Sequence, residues 1–146
     1  MSIVRHVYTD GSANYHTQKG GWGYVELDGD KIVHQGSRHE ESTTNNRMEL
    51  IALIEAIKFY KQTHPDDSVI FYTDSQYVQK GATNWLQSWL RSNWKGNTIK
   101  NIDLWENYVA INDGTLKFSI QWVKGHANTK GNLIADALAN AAYLKG

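Results

Sequence analysis

Gly20-Gly21-Trp22-Gly23-Tyr24-Val25-Glu26-Leu27, then Asp28-Gly29, then Lys31-Ile32-Val33-His34-Gln35, is the stretch that decides the fold. Two strand-like runs flank an Asp-Gly pair, the dipeptide expected in a tight β-hairpin. Upstream, residues 3–9 alternate loosely and read as a strand ending at Asp10-Gly11, which makes a three-stranded meander. Downstream the pattern changes. Residues 46–62 form the best helix of the chain, and Val69-Ile70-Phe71-Tyr72 is a short apolar run expected in a strand buried on both faces. Helices are expected over about 75–90 and 101–112, a last strand over 116–123 and an alanine-rich helix over 130–143. A meander followed by helix–strand alternation predicts an α/β fold. Its mixed five-stranded sheet has three antiparallel and two parallel strands and is flanked by helices.

The 146 residues fit one domain, 1–146, with no linker or internal repeat; 40% are hydrophobic and one is proline, which excludes a disordered or low-complexity chain. Fifteen acids balance fifteen bases, so recognition of a charged partner has to come from local distribution and not from net charge. Absence of cysteine excludes a disulfide scaffold and a thiolate metal site. No run approaches the roughly 18 apolar residues of a membrane span, and the N-terminus lacks a signal-peptide pattern. A cytoplasmic protein is expected.

Four carboxylates in separated segments carry the chemistry: Asp10, Glu49, Asp74 and Asp136. Like charges aimed at one point must be neutralised, and hard divalent cations with oxygen ligands do so. Each acid also has an ordinary explanation. Asp10 precedes Gly11, a turn signal. Glu49 falls on the side of its helix shared with Leu53, Ala56 and Tyr60, opposite Arg47, Glu55, Lys58, Lys61 and Gln62; it also lies three residues after Asn46, as in a capping box. Asp74 or Ser75 suits a helix N-cap, yet Asp74 also ends a strand, where sites form in open sheets. Asp136 shares a helix face with Asn132 and Asn140, as any solvated aspartate does. Between Lys80 and Asn101 stand four bases (Lys80, Arg91, Lys95, Lys100) and no acid, interleaved with Trp85, Trp89 and Trp94. That is either a helix packing tryptophans on the core or a basic surface for nucleic acid.

Tyr8-Thr9-Asp10-Gly11-Ser12, Asn45-Asn46-Arg47-Met48-Glu49-Leu50, Tyr72-Thr73-Asp74-Ser75-Gln76-Tyr77-Val78, Asn101-Ile102-Asp103-Leu104-Trp105 and Trp122-Val123-Lys124-Gly125-His126-Ala127 together resemble the type 1 ribonuclease H family in order and spacing. The resemblance runs from Val7 to about Ala142 and implies that family's fold. It implies an endonuclease that hydrolyses the RNA strand of RNA–DNA hybrids with two Mg²⁺ ions (Mn²⁺ as a substitute), leaving 5′-phosphate and 3′-hydroxyl ends. Asp10, Glu49, Asp74 and Asp136 are then the catalytic metal ligands, and His126 is a catalytic aid to proton transfer or product departure. Thr44, Asn45, Asn46 and Gln76 would hydrogen-bond the hybrid backbones, although Thr44 and Asn46 equally suit helix capping. Trp85, Arg91 and Lys95 would form a basic handle against it. A monomer is expected. Three positions depart from the family pattern: Leu90 in the handle, the loop 13–19 with its Asn-Tyr-His, and Leu133 near the last acid. The alternatives are the ribonuclease H domain of a reverse transcriptase and a hybrid-binding module without catalysis. The full acid set argues against the second.

Overall fold

The computed structural model describes residues 3–124 and 129–145. Its five-stranded sheet has the order β3-β2-β1-β4-β5. Strands β1 (Val4–Ala13), β2 (Gly20–Asp28) and β3 (Lys31–Glu40) form the antiparallel meander. Strands β4 (Ser68–Thr73) and β5 (Lys117–Trp122) join it in parallel, β4 against β1 and β5 against β4. The mixed sheet expected from the sequence is present. Two of its details differ. The hairpin loop is Gly29-Asp30, because Asp28 still pairs with Lys31. Strand β1 does not turn at Asp10-Gly11 but pairs with β2 through Ala13 opposite Gly20.

Helix α1 (Asn45–Thr63) explains that continuation. A Cβ on Gly11 would lie 2.3 Å from the Met48 carbonyl carbon and 2.5 Å from the Glu49 nitrogen, so the bare glycine is what lets the helix backbone rest on the strand. The helix is capped by Thr44, whose hydroxyl accepts from the Arg47 amide at 3.2 Å. It stops at His64, the residue before Pro65, where the α conformation is disfavoured. Between those ends it is buried on most of its circumference (Met48, Leu50, Leu53, Ile54, Ile57 and Tyr60 among others), packed against the sheet and against α4 (Ile102–Ile111).

The opposite face of the sheet is covered by α5 (Lys130–Lys145), which lies over β1, β2 and β3. It approaches closely because Gly21 has no side chain; a Cβ there would sit 2.3 Å from the Ala139 carbonyl oxygen. Strand β4 is therefore buried on one face only. Val69, Phe71 and Thr73 face the core, while Tyr72 is half-buried and stacks on Tyr8 at 4.5 Å. The continuous apolar run conceals this alternation. At the start of β1, Arg5 pairs with buried Glu26 (2.9 Å) and with Asp67 (2.9 Å), and the Tyr60 hydroxyl donates to Glu26 at 2.7 Å. These bonds tie β1, β2, α1 and the entry to β4 together at the end away from Asp10.

The helix expected over 75–90 is divided. Helix α2 (Gln76–Lys80) passes through a wide turn at 81–85 into α3 (Leu86–Arg91). Asn93 to Asn97 then coil left-handed, with φ of 50°, 58°, 49°, 67° and 68°.

Candidate active site

Asp10 and Asp74 follow the paired residues Thr9 and Thr73 on adjacent parallel strands, so their side chains leave the same end of the sheet. The carboxyl ends of parallel strands are where open α/β sheets place ligands. Glu49 arrives from the first turns of α1, brought in by the close helix–strand contact at Gly11. One carboxylate oxygen from each of Asp10, Glu49 and Asp74 lies within 4.8 Å of the others. Asp136, from α5, is exposed and lines the same small cleft, about 50 Å³, together with Asp10, Asp74, Asn132 and Leu133.

Local structure separates these acids from their ordinary roles. Ser75 caps α2, its hydroxyl accepting from the Val78 amide at 3.1 Å, which leaves Asp74 to the cleft. The Trp122 indole donates to the Asp74 carbonyl at 3.1 Å and fixes the backbone there. Thr44 and not Asn46 caps α1, so Glu49 is not half of a capping box. Asp10 is buried, and its Oδ1 accepts from the Gly11 amide at 2.9 Å.

The electrostatic consequence is large. Burial, then the negative charges of Asp74 and Asp136 against the relief of the Glu49 and Gly11 hydrogen bonds, pushes Asp10 up from 3.8 to about 7. Burial, then the charge of Asp10, raises Glu49 well above the ordinary glutamate value. Glu49 Oε1 is buried with no hydrogen-bond partner, and among the described residues none of the four acids pairs with a lysine or arginine. Crowded, dehydrated carboxylates with an orphaned oxygen are the donor set a hard divalent cation requires. The residues present fit such an ion.

Asp136 has a support that sequence reasoning misses: Asn140 Nδ2 donates to its Oδ2 at 3.4 Å, and Ser12 Oγ donates to Asn140 Oδ1 at 3.1 Å. The i, i+4 spacing of Asp136 and Asn140 is the only trace of it in the chain. Asn132, buried on the wall of the cleft, likewise shows in the sequence only as a neighbour on a solvated helix face.

Around the acids the other expected residues spread over one continuous side. Thr44, Asn45 and Asn46 are exposed and line a groove of about 660 Å³ with Ala13, Asn14, Tyr15, His16, Gln18 and Thr43. Asn45 Oδ1 also accepts from the Ala13 amide at 2.6 Å. Gln76 is exposed on the first turn of α2. The tryptophans divide: Trp89 and Trp94 are buried, Trp89 packing edge-on to Trp105 at 5.5 Å, whereas Trp85 is 39% exposed. Arg91 and Lys95 are exposed beside them. His126 lies outside the described residues.

Comparison with known proteins agrees with this arrangement. The RNase H family model matches residues 4–143. A ribonuclease H of Thermosynechococcus vestitus is 42% identical over 144 residues, 95% of this chain and 88% of that protein. The crystal structure of LC9-RNase H1, described as a type 1 RNase H with the type 2 active-site motif, superposes with a TM-score of 0.85 at 32% identity, covering 99% of this chain and 74% of that one. The PFV RNase H domain, solved in solution, superposes at 0.78 with 26% identity, covering 97% and 94%. With a carboxylate cluster at the strand ends of this sheet and a family match along nearly its whole length, the chain belongs to the type 1 ribonuclease H family, metal-dependent enzymes that cleave the RNA strand of RNA–DNA hybrids.

Proposed function

We propose that the protein hydrolyses the RNA strand of hybrids with two Mg²⁺ ions held by Asp10, Glu49, Asp74 and Asp136. The observation that carries this reading is the group of three carboxylates within 4.8 Å, with Glu49 Oε1 buried and unpartnered. Bound there, Mg²⁺ (or Mn²⁺ in its place) activates water and neutralises charge at the scissile phosphate, giving 5′-phosphate and 3′-hydroxyl products. Asp10 and Glu49 shed protons as the site fills, because only ionised carboxylates ligate. Ser12 and Asn140 orient Asp136 at the mouth of the cleft. Thr44, Asn45, Asn46 and Gln76 hydrogen-bond the two backbones, reading the 2′-hydroxyl that distinguishes RNA from DNA. His126, with an ordinary pKa near ~6.5, moves a proton or eases product departure. A module that only binds hybrids has no use for the buried acids. Incubating the protein with labelled hybrid, in Mg²⁺ and in chelator, tests the reading: cleavage in Mg²⁺ alone supports it, and binding without cleavage removes it.

Trp85, Arg91 and Lys95 form the handle in this reading. The double variant Arg91→Ala, Lys95→Ala is expected to raise KM and to lower the log–log salt slope by about one unit for each phosphate no longer neutralised, with turnover at saturation unchanged. A KM unaltered across the salt series would return this surface to plain packing. Lys95 sits at φ 49°, in the left-handed region. A left-handed conformation costs a non-glycine residue about 1–2 kcal/mol, against roughly 0.5–1 kcal/mol of backbone entropy for glycine. Lys95→Gly should therefore stabilise the fold by on the order of 0.5–1 kcal/mol while still weakening hybrid binding. Lys95→Ala should weaken binding and stabilise nothing, a contrast that denaturant melts beside binding isotherms will read.

A further inference from the structure

The loop joining β1 to β2 is pinned along its length. Asn14 Oδ1 accepts from the His16 amide at 2.8 Å and the Thr17 amide at 3.0 Å, and the Gln18 amide donates to the Asn14 carbonyl at 2.8 Å. The Asn14 amide donates to the Lys19 carbonyl, and the Thr43 amide to the Gln18 carbonyl, each at 2.8 Å. This ordered loop holds one large side chain away from the fold: Tyr15 is 90% exposed, its aromatic neighbour being His16, edge-on at 5.5 Å. A tyrosine with two side-chain torsions, on a backbone already fixed, offers wide contact area at little entropic cost. It stands at the rim of the groove whose other wall carries Thr43, Thr44, Asn45 and Asn46. The Thr43 hydroxyl there is buried with no partner. Three residues of strand, at roughly 3.3 Å each, set Ala13 about 10 Å from Asp10. The loop that follows is thus within a few nucleotides of the acids.

We propose that Tyr15, with His16 against it, is a specificity-determining contact that packs its ring on the sugars in the minor groove of the hybrid, next to Asn45 and Asn46. This rests on the hybrid-cleaving reading above. The minor groove of an A-like duplex is wide and shallow and exposes sugars and 2′-hydroxyls, so a single ring enters it without unstacking bases. The contact carries no charge. It releases no counterions, and its contribution to binding is independent of salt, unlike that of Arg91 and Lys95.

The test uses the whole chain with a labelled hybrid, comparing wild type, Tyr15→Ala and Tyr15→Phe in steady state over a salt series, with melting temperatures alongside. Truncating an aromatic side chain that packs on nucleic acid weakens binding by about tenfold or more. Tyr15→Ala should raise KM about tenfold with kcat, salt slope and melting temperature unchanged, and Tyr15→Phe should behave as wild type. An unchanged KM in Tyr15→Ala with cleavage intact overturns this inference and leaves the hybrid-cleaving reading standing. A flattened salt slope, a lowered melting temperature, or equal damage in Tyr15→Phe also overturns it, by assigning the ring to a charged contact, to the fold, or to a hydroxyl bond. A wild-type protein inert on hybrids removes the earlier reading itself.

Discussion

Asp10→Asn is expected to abolish metal-dependent cleavage and, in metal-free buffer at pH 8, to raise the melting temperature. Asp10 is the most buried of the acids proposed as metal ligands, with Glu49 and Asp74 oxygens within 4.8 Å. Its carboxyl is held at about 7 when folded, against 3.8 as the ordinary value. The folded protein therefore keeps a proton that the unfolded chain has released between those two values. Stability falls as pH rises wherever the folded state binds more protons. The metal-free wild type should lose stability from about pH 4 to about pH 7 and level off above, while the asparagine variant lacks that loss from Asp10. The gap between them opens across the same window. Each kcal/mol should appear as roughly 2–4 °C in a protein of this size. Saturating Mg²⁺ should reverse the order, since only the wild type gains binding energy. Melting curves at several pH values, with and without Mg²⁺, check this together with hybrid cleavage. Retained cleavage in the variant would sink the assignment of Asp10 as a ligand. Coincident melting temperatures at pH 8 would mean the acids are not crowded.

Gly11→Ala should damage both fold and chemistry, although position 11 carries no reactive group. The new Cβ would meet the Met48 carbonyl carbon at 2.3 Å, backbone that cannot rotate aside, where ordinary contact begins at 3.4 Å. Helix α1 must withdraw by the difference, about 1 Å, and Glu49 recedes from Asp10 with it. Overpacking of this kind costs about 1–3 kcal/mol, and a misplacement of about 1 Å in a reacting constellation can cost about 10²-fold in rate. We expect turnover reduced by about that factor at saturating Mg²⁺, with the melting temperature lowered by several degrees. The comparison with Ser12→Ala is informative, because that change touches only the Asn140–Asp136 chain and should leave α1 in place. A wild-type turnover number in Gly11→Ala would show that the approach of helix to strand does not set the carboxylate spacing.

Much of this is legible in the chain. The strand runs either side of residues 28–30, the periodicity of 46–62 and the helix–strand alternation after it are local patterns, and the mixed sheet follows from them because few topologies satisfy that order of elements. Glu49 can be set on the core side of its helix because a period of 3.6 residues is a property of the backbone alone. Residue type also announces the acids as a group, since like charges recurring in rigid segments call for a common counter-ion.

What the sequence leaves open are choices between local explanations that are equally good locally. Asp10-Gly11 is a sound turn, and becomes mid-strand because β2 supplies paired partners out to Gly20 while α1 needs the space above Gly11. Asp74 and Ser75 are both good caps; the hydroxyl takes the Val78 amide, and Asp74 is freed by its place at the strand end. Trp85 and Trp89 sit on one helical side by spacing, yet Trp89 alone is buried, because Trp105 from a helix many residues away comes to meet it. The left-handed course of Asn93–Asn97 contradicts the preference of Trp94 and Lys95, and is held where Trp94 packs into the core. In each case the deciding partner is distant in the chain. Propensity and periodicity report what a segment does by itself, whereas the spacing of Asp10, Glu49 and Asp74 exists only after packing has brought three separate segments to one end of the sheet.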